Sequence, residues 1–272
     1  MTTLRRRPLL ALATAGLLAT AACASGSATD DARQGGGSSS TASGSGRLTG
    51  TVTVFAAASL TKTFTEIGAE FEKAHPGVQV RFNFAGSSDL VAQLQQGAPA
   101  DVFASADTTN MAKATGDSLT AAAPVDFASN TLEIAVPPGN PAGIASLADL
   151  AAPGVKVVLC APAVPCGAAA AKVEAAGKVD LKPVSEEQSV TDVLGKVTSQ
   201  EADAGLVYVT DVKAAGDAVE GVELAESAAA VNTYPIATLR ASKNPAAAQA
   251  FLEAVTGEPG RRILAAAGFA RP

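Results

Sequence analysis

The sequence predicts an α/β protein of two doubly wound lobes joined by a hinge. Strand-like runs alternate with helical patterns along the chain, and the alternation restarts near Leu132. A late strand-like run, Tyr234–Leu239, then reads as a return to the first half. About 220 residues take part, enough for two small lobes with their own cores.

The first strand is Thr51–Phe55, and a helix follows from Ser59 to about Ala74, with Phe64, Ile67, Gly68 and Phe71 on one face. His75-Pro76-Gly77 ends it, because Pro and Gly continue helices poorly. Val78–Phe84 alternates apolar and polar positions as a strand does. Ser87 or Ser88 then caps a helix through Leu90 and Leu94 to Gly97, before a strand at Asp101–Ala104. A β-α-β-α-β order with short connections implies a largely parallel sheet. In the second half Leu132–Val136, Lys156–Cys160 and Gly205–Val209 read as strands, with helices near 167–176 and 190–200. Helices at 245–256 and 258–267 follow the return strand. The expected organisation is therefore 50–130 and 233–272 in lobe I, with 131–232 in lobe II.

The N-terminus reads as an address. Arg5, Arg6 and Arg7 precede an apolar stretch, Leu9–Ala22, that is short for a bilayer span, so residues 1–22 are expected to be a signal peptide. It ends at Thr20-Ala21-Ala22-Cys23, which resembles a bacterial lipobox. That resemblance implies cleavage before Cys23 and acylation of the new N-terminal Cys, with an ordinary signal peptide and an incidental Cys as the plainer alternative. Ala24–Gly46 is dominated by Gly, Ser, Ala and Thr, so residues 23–49 are expected to be a lipidated Cys and a flexible linker. Such a leash reaches about 25–30 Å. The expected location is the outer face of the cell membrane.

Removing residues 1–22 takes away three of the 20 basic residues and none of the 26 acids, leaving 17 − 26 = −9. An excess of acid disfavours nucleic acid as a partner and offers no general attraction for anions. Any anion site must be local. Four stretches meet that need: Ala56–Leu60, Ala85–Leu90, Val164–Gly167 and Gln188–Thr191. Each puts hydroxyls or backbone N–H groups where a helix begins, and no basic side chain accompanies them. A helix N-terminus holds an anion through unpaired N–H groups and roughly half a positive charge.

At these residues the chain resembles the molybdate-binding proteins of bacterial ABC importers. The matching pieces are Val54–Leu60, Ala85–Ser88, Gly97–Asp107, Gly205–Tyr208 and Gly268-Phe269. The resemblance implies the type II periplasmic-binding fold and capture of molybdate, with tungstate as a second ligand. It implies a monomer that delivers the anion to a membrane permease, without catalysis or cofactor. Carried over residue by residue, it assigns hydroxyl ligands to Ser59, Ser87 and Tyr208, and backbone N–H ligands to Cys166 and Val190. Molybdenum is thus held as its oxyanion through these same residues. Cys166 departs from the small Ala often found there, which a backbone donor tolerates.

Molybdate and tungstate carry no proton near neutral pH and only accept hydrogen bonds. Neutral donors suit them, whereas a protonated phosphate would lack an acceptor for its O–H. Sulfate matches in charge and is the principal alternative. With Cys23 committed to lipid, Cys160 and Cys166 remain as an even pair in an oxidising compartment, expected to form a disulfide; two buried thiols are the alternative.

Enzymatic readings are weaker. Ser59-Leu60-Thr61-Lys62 is an S-x-x-K, as in serine β-lactamases, but no Ser-Asp-Asn or Lys-Thr-Gly accompanies it. A Ser-His-Asp hydrolase would need His75, the only His, which sits in a turn signal and reads as solvent-exposed. A sugar or quaternary-amine site would lean on aromatic walls, and the chain has no Trp and two Tyr. The clustered Tyr, His and carboxylates of a ferric site are missing.

Overall fold

A computed structural model describes residues 47–272 as two five-stranded sheets with helices on their faces. The signal peptide, Cys23 and most of the linker lie outside the described residues. Among those described, no helix is long and apolar enough to cross a membrane.

The first sheet is built from β1 (Gly50–Ala57), β2 (Val78–Ala85), β3 (Val102–Ala104), β4 (Val125–Asn130) and β10 (Asn232–Thr238), in the order β2-β1-β3-β10-β4. The second contains β5 (Leu132–Val136), β6 (Val157–Cys160), β7 (Ser185–Glu187), β8 (Ala204–Tyr208) and β9 (Glu220–Val222), ordered β7-β6-β8-β5-β9. The two orders are the same pattern. In each, three neighbouring strands are parallel and the fourth is reversed. The sheets are therefore mixed, where short β-α-β connections alone suggested largely parallel ones. The reason is the double crossing between lobes. β5 follows β4 across the hinge at Thr131, and β10 comes back beside it after Val231, so each enters its sheet from the hinge end and runs against its neighbours. Asn130 and Asn232 face each other in register at this point.

Alternation along β1 loads both faces of the first sheet. Val52, Val54 and Ala56 pack with α1 (Thr61–Ala74), α7 (Pro245–Thr256) and α8 (Glu258–Ala267). Phe55 packs on the other face with α2 (Ser87–Gln95) and α3 (Thr108–Gly116). Phe64 of α1 anchors the first face, its ring 5.8 Å from Phe127 and 6.1 Å from Phe251. A fully buried Phe contributes about 1.5–3 kcal/mol by transfer alone. His75 ends α1, but its ring lies half-buried 4.5 Å from that of Phe71, not free in solvent. In the second lobe α4 (Pro165–Gly177) and α5 (Val190–Thr198) pack on β6 and β8. α6 (Val209–Ala215) leads out of β8 toward the hinge. The lobes touch on this side: Lys213 Nζ of α6 donates to the Ala266 carbonyl at the end of α8, 2.9 Å away.

A disulfide joins Cys160, the last residue of β6, to Cys166 in the first turn of α4, with Cα atoms 5.6 Å apart. The loop it closes lies tight over the helix. A Cβ on Gly167 would sit 2.1 Å from the Ala161 carbonyl oxygen, so only glycine fits.

Candidate functional site

Five connections leave the carboxyl ends of β1, β2, β6, β7 and β8 on the facing edges of the two sheets, where ligands sit in open α/β folds. Ser59, Ser87, Cys166, Val190 and Tyr208 all line one small cavity there, with Gly86, Ala106 and Pro165 among its other walls. None of the cavity-lining residues is charged.

Each arrives by a local rule. Ser59 sits in a 3-10 turn, Ala58–Leu60, between β1 and α1, so it precedes the α-helix and does not open it. Ser87 is the first residue of α2, whose N-cap is Gly86, so neither it nor Ser88 caps the helix by its side chain. The freed Ser87 hydroxyl instead accepts from the backbone N–H of Ala106, 3.0 Å away. Pro165 opens α4 with its ring-fixed φ, and no side chain caps that end. The Cys166 N–H, in the first turn, has no intrahelical acceptor. Ser189 caps α5, its hydroxyl accepting from the Asp192 N–H at 3.2 Å, which leaves the Val190 N–H at the helix mouth. Together α4 and α5 aim two N-termini at a space that already holds three hydroxyls.

Tyr208 is the last residue of β8 and 1% exposed. Its hydroxyl accepts from Asn232 Nδ2 at 2.8 Å. Its backbone N–H donates to the Asp211 carboxylate at 3.0 Å. Burial pushes the Tyr208 phenol well above its ordinary range, reinforced by Tyr234 and the nearby acids Asp211 and Asp107. Burial likewise raises the Tyr234 phenol. Both hydroxyls therefore keep their protons across the physiological range and remain donors. Burial also lifts the Asp211 carboxyl to about 7, opposed by the Tyr208 N–H.

The remaining sequence candidates are elsewhere or otherwise engaged. Lys62 is exposed on the first turn of α1. The Ser59 hydroxyl bonds the Tyr234 hydroxyl at 3.1 Å, so no activated Ser–Lys pair is present. Arg81 is exposed on β2 and pairs with Gln79. Among the described residues no cluster of His, Cys, Asp and Glu could hold a bare metal ion.

Sequence reasoning missed Asn130, Asn232 and Tyr234, which stand behind the cavity. Asn232 Nδ2 donates to the Ala106 carbonyl at 2.8 Å as well as to Tyr208. Asn130 bonds Thr210 Oγ1 at 2.7 Å and also the Tyr234 hydroxyl. Their one sequence signal was polarity at the ends of apolar strands, which is common at hinges and points to no chemistry. The close approach at Gly86 was equally hidden: a Cβ there would meet the Gln188 carbonyl oxygen of the opposite lobe at 2.1 Å.

The profile of bacterial extracellular solute-binding proteins matches residues 52–270. The chain is 52% identical over 221 residues to the molybdate-binding protein ModA of Mycobacterium tuberculosis, covering 81% of this chain and 85% of that one. It is 30% identical over 238 residues to ModA of Escherichia coli, covering 81% and 89%. The periplasmic molybdate-binding protein of Azotobacter vinelandii superposes with a TM-score of 0.70 at 21% identity, over 81% of this chain and 99% of the other, which shows the shared two-lobed fold. With a family model matching residues 52–270 and relatives of this identity and coverage, the chain belongs to the bacterial extracellular solute-binding proteins.

Proposed function

We propose that this protein captures molybdate, and tungstate as a close second, and delivers it to the membrane permease of an ABC importer. The observation that carries the reading is the uncharged cavity ringed by Ser59, Ser87, Cys166, Val190 and Tyr208. Identity of 52% to a molybdate-binding protein supports the choice of anion. Three hydroxyl donors and two helix-mouth N–H groups match the oxygens of a tetrahedral dianion that carries no proton. Two helix N-termini add a favourable field where no Lys or Arg is needed. Sulfate, equally unprotonated, is the second reading; its shorter bonds fill the cage less well.

In this reading the mature chain is tethered by an acylated Cys23 to the outer face of the cell membrane. Residues 23–49 form its leash, residues 50–130 and 233–272 lobe I, and residues 131–232 lobe II. It works as a monomer, closing its lobes on one anion.

Titration calorimetry with molybdate, tungstate, sulfate and phosphate tests the reading. Tight binding of molybdate and tungstate, weaker binding of sulfate and negligible binding of phosphate are expected. Sulfate bound more tightly than molybdate would refute it in favour of the second reading.

A further inference from the structure

Two lobes that close on an anion stay closed through contacts with each other as well as with the ligand. One such contact joins α3, on the first sheet, to the disulfide-closed loop of the second lobe. Asn110 stands in the first turn of α3 and is 1% exposed. Its side-chain nitrogen donates to the Ala163 carbonyl at 3.4 Å and to the Asp107 carboxylate at 3.1 Å. Its oxygen accepts from Lys113 Nζ at 2.9 Å. A carboxylate and a carbonyl only accept, and an ammonium only donates, so these partners fix which way the amide is turned. Both of its N–H bonds are used, one within its own lobe and one across the cleft.

Ala163 is the matching half. It precedes Val164, the N-cap of α4, so its carbonyl lies outside the helix ladder. The loop that carries it is closed by the Cys160–Cys166 bridge and by the Val164 N–H, which donates to the Ala161 carbonyl at 2.9 Å. The Ala161 N–H in turn donates to the Glu187 carbonyl at 2.8 Å, which ties the loop to the connection running through Gln188 and Ser189 into Val190. Ala163 is thereby braced to the segments that carry the Cys166 and Val190 N–H groups. The same loop meets the first lobe one residue further on, where a Cβ on Gly86 would lie 3.5 Å from Val164 Cγ1.

We propose that Asn110 is a positioning residue that latches the disulfide-closed loop to the first lobe. In doing so it holds the Cys166 and Val190 N–H groups against an anion bound by Ser59 and Ser87. The inference rests on the oxyanion reading above. Asn110 is not among the residues that line the cavity, so it acts through the loop and not on the ligand. Opening the lobes breaks the bond to Ala163 and leaves those to Asp107 and Lys113 in place. The latch therefore governs how long the closed state lasts, and not how fast the anion arrives.

Separating release from association isolates the effect. The chain has no Trp, and its two Tyr are Tyr208, which lines the cavity, and Tyr234, which bonds Ser59. Tyrosine emission in a stopped flow therefore follows molybdate binding. The slope of the observed rate against molybdate concentration gives the association rate, and its product with the calorimetric Kd gives the release rate. Asn110→Ala keeps the backbone N–H that donates to the Asp107 cap at 2.8 Å. It should speed release about 2- to 12-fold, the net worth of one neutral hydrogen bond, with association within about twofold of wild type. Lys113→Met, at an exposed position, removes only the grip on the amide oxygen and should speed release in the same direction. A residue that merely stabilises α3 would lower the melting midpoint and leave release unchanged, and that result overturns the inference. So does a loss of affinity carried by slower association. Should Asn110→Ala not melt cooperatively, Lys113→Met decides, since release at the wild-type rate then overturns the latch. A wild-type protein that does not bind molybdate sinks the oxyanion reading itself, which calorimetry shows separately.

Discussion

Replacing Gly86 by Ala should leave both lobes folded and prevent them from closing. The backbone at Gly86 has φ −59° and ψ 140°, which alanine adopts without strain. The added Cβ, however, would lie 2.1 Å from the backbone carbonyl oxygen of Gln188, across the cleft. Ordinary contact begins near 3.4 Å, so the two backbones must separate by about 1.3 Å at this point. Gln188 lies two residues before Val190, and Gly86 directly precedes Ser87. Such a separation stretches a hydrogen bond of about 2.9 Å to beyond 4 Å, where it no longer counts as one. The N–H groups of Cys166 and Val190 would then not reach an anion held by lobe I. Each such bond to a charged acceptor is worth about 1.5–3 kcal/mol, so losing both weakens binding by roughly 10²- to 10⁴-fold. Calorimetry with molybdate gives the affinity, and the melting midpoint without ligand should change little. A Gly86→Ala protein that binds within threefold of wild type would show that closure does not run through this contact.

Three further predictions follow from other parts of the site. Tyr208→Phe should weaken molybdate binding about 10- to 150-fold by calorimetry, with Ser59→Ala and Ser87→Ala in the same range. Lys62→Ala and Arg81→Ala, both at exposed positions, should change it little; a larger loss at either would show that charge, not neutral donors, holds the anion. Intact mass without reductant should show no free thiol at Cys160 and Cys166, and replacing both by Ala should cost about 2–2.5 kcal/mol of stability for so short a loop. Asp211 has a carboxyl raised from 3.8 to about 7, so the folded state binds its proton more tightly than the unfolded state does. Its contribution is full below pH 3.8 and is lost as pH rises through 7, a difference on the order of 4 kcal/mol at most. Asp211→Asn keeps an acceptor for the Tyr208 N–H and should match wild type in acid yet melt higher in alkali. Parallel melting curves across that range would contradict the burial argument.

The alternation of β1 and β2, the Pro-opened helices and the restart at Leu132 were legible because they follow from local periodicity and backbone chemistry. The helices 245–256 and 258–267 were bounded by Pro and Gly, and the structure ends them where those residues do. Four helix beginnings were legible as candidate anion sites, since a chain that turns from strand to helix must leave N–H groups unpaired there, while the choice of Ser59, Ser87, Cys166, Val190 and Tyr208 came from the resemblance to molybdate-binding proteins. Shorter elements such as β7 and β9 were not, because three residues carry no period. Nor was the reversed strand in each sheet, which depends on where the chain crosses between lobes. Sequence could name Ser59 and Tyr208, but not Tyr234 and Asn232 behind them, nor the carbonyl that faces Gly86. Those relations join residues 24 to 175 positions apart, and only the tertiary packing of the chain sets their distances. Local chemistry determined which groups the chain offers to a ligand. Tertiary structure decided which of those groups meet around one cavity, because that depends on how distant segments of the chain pack together.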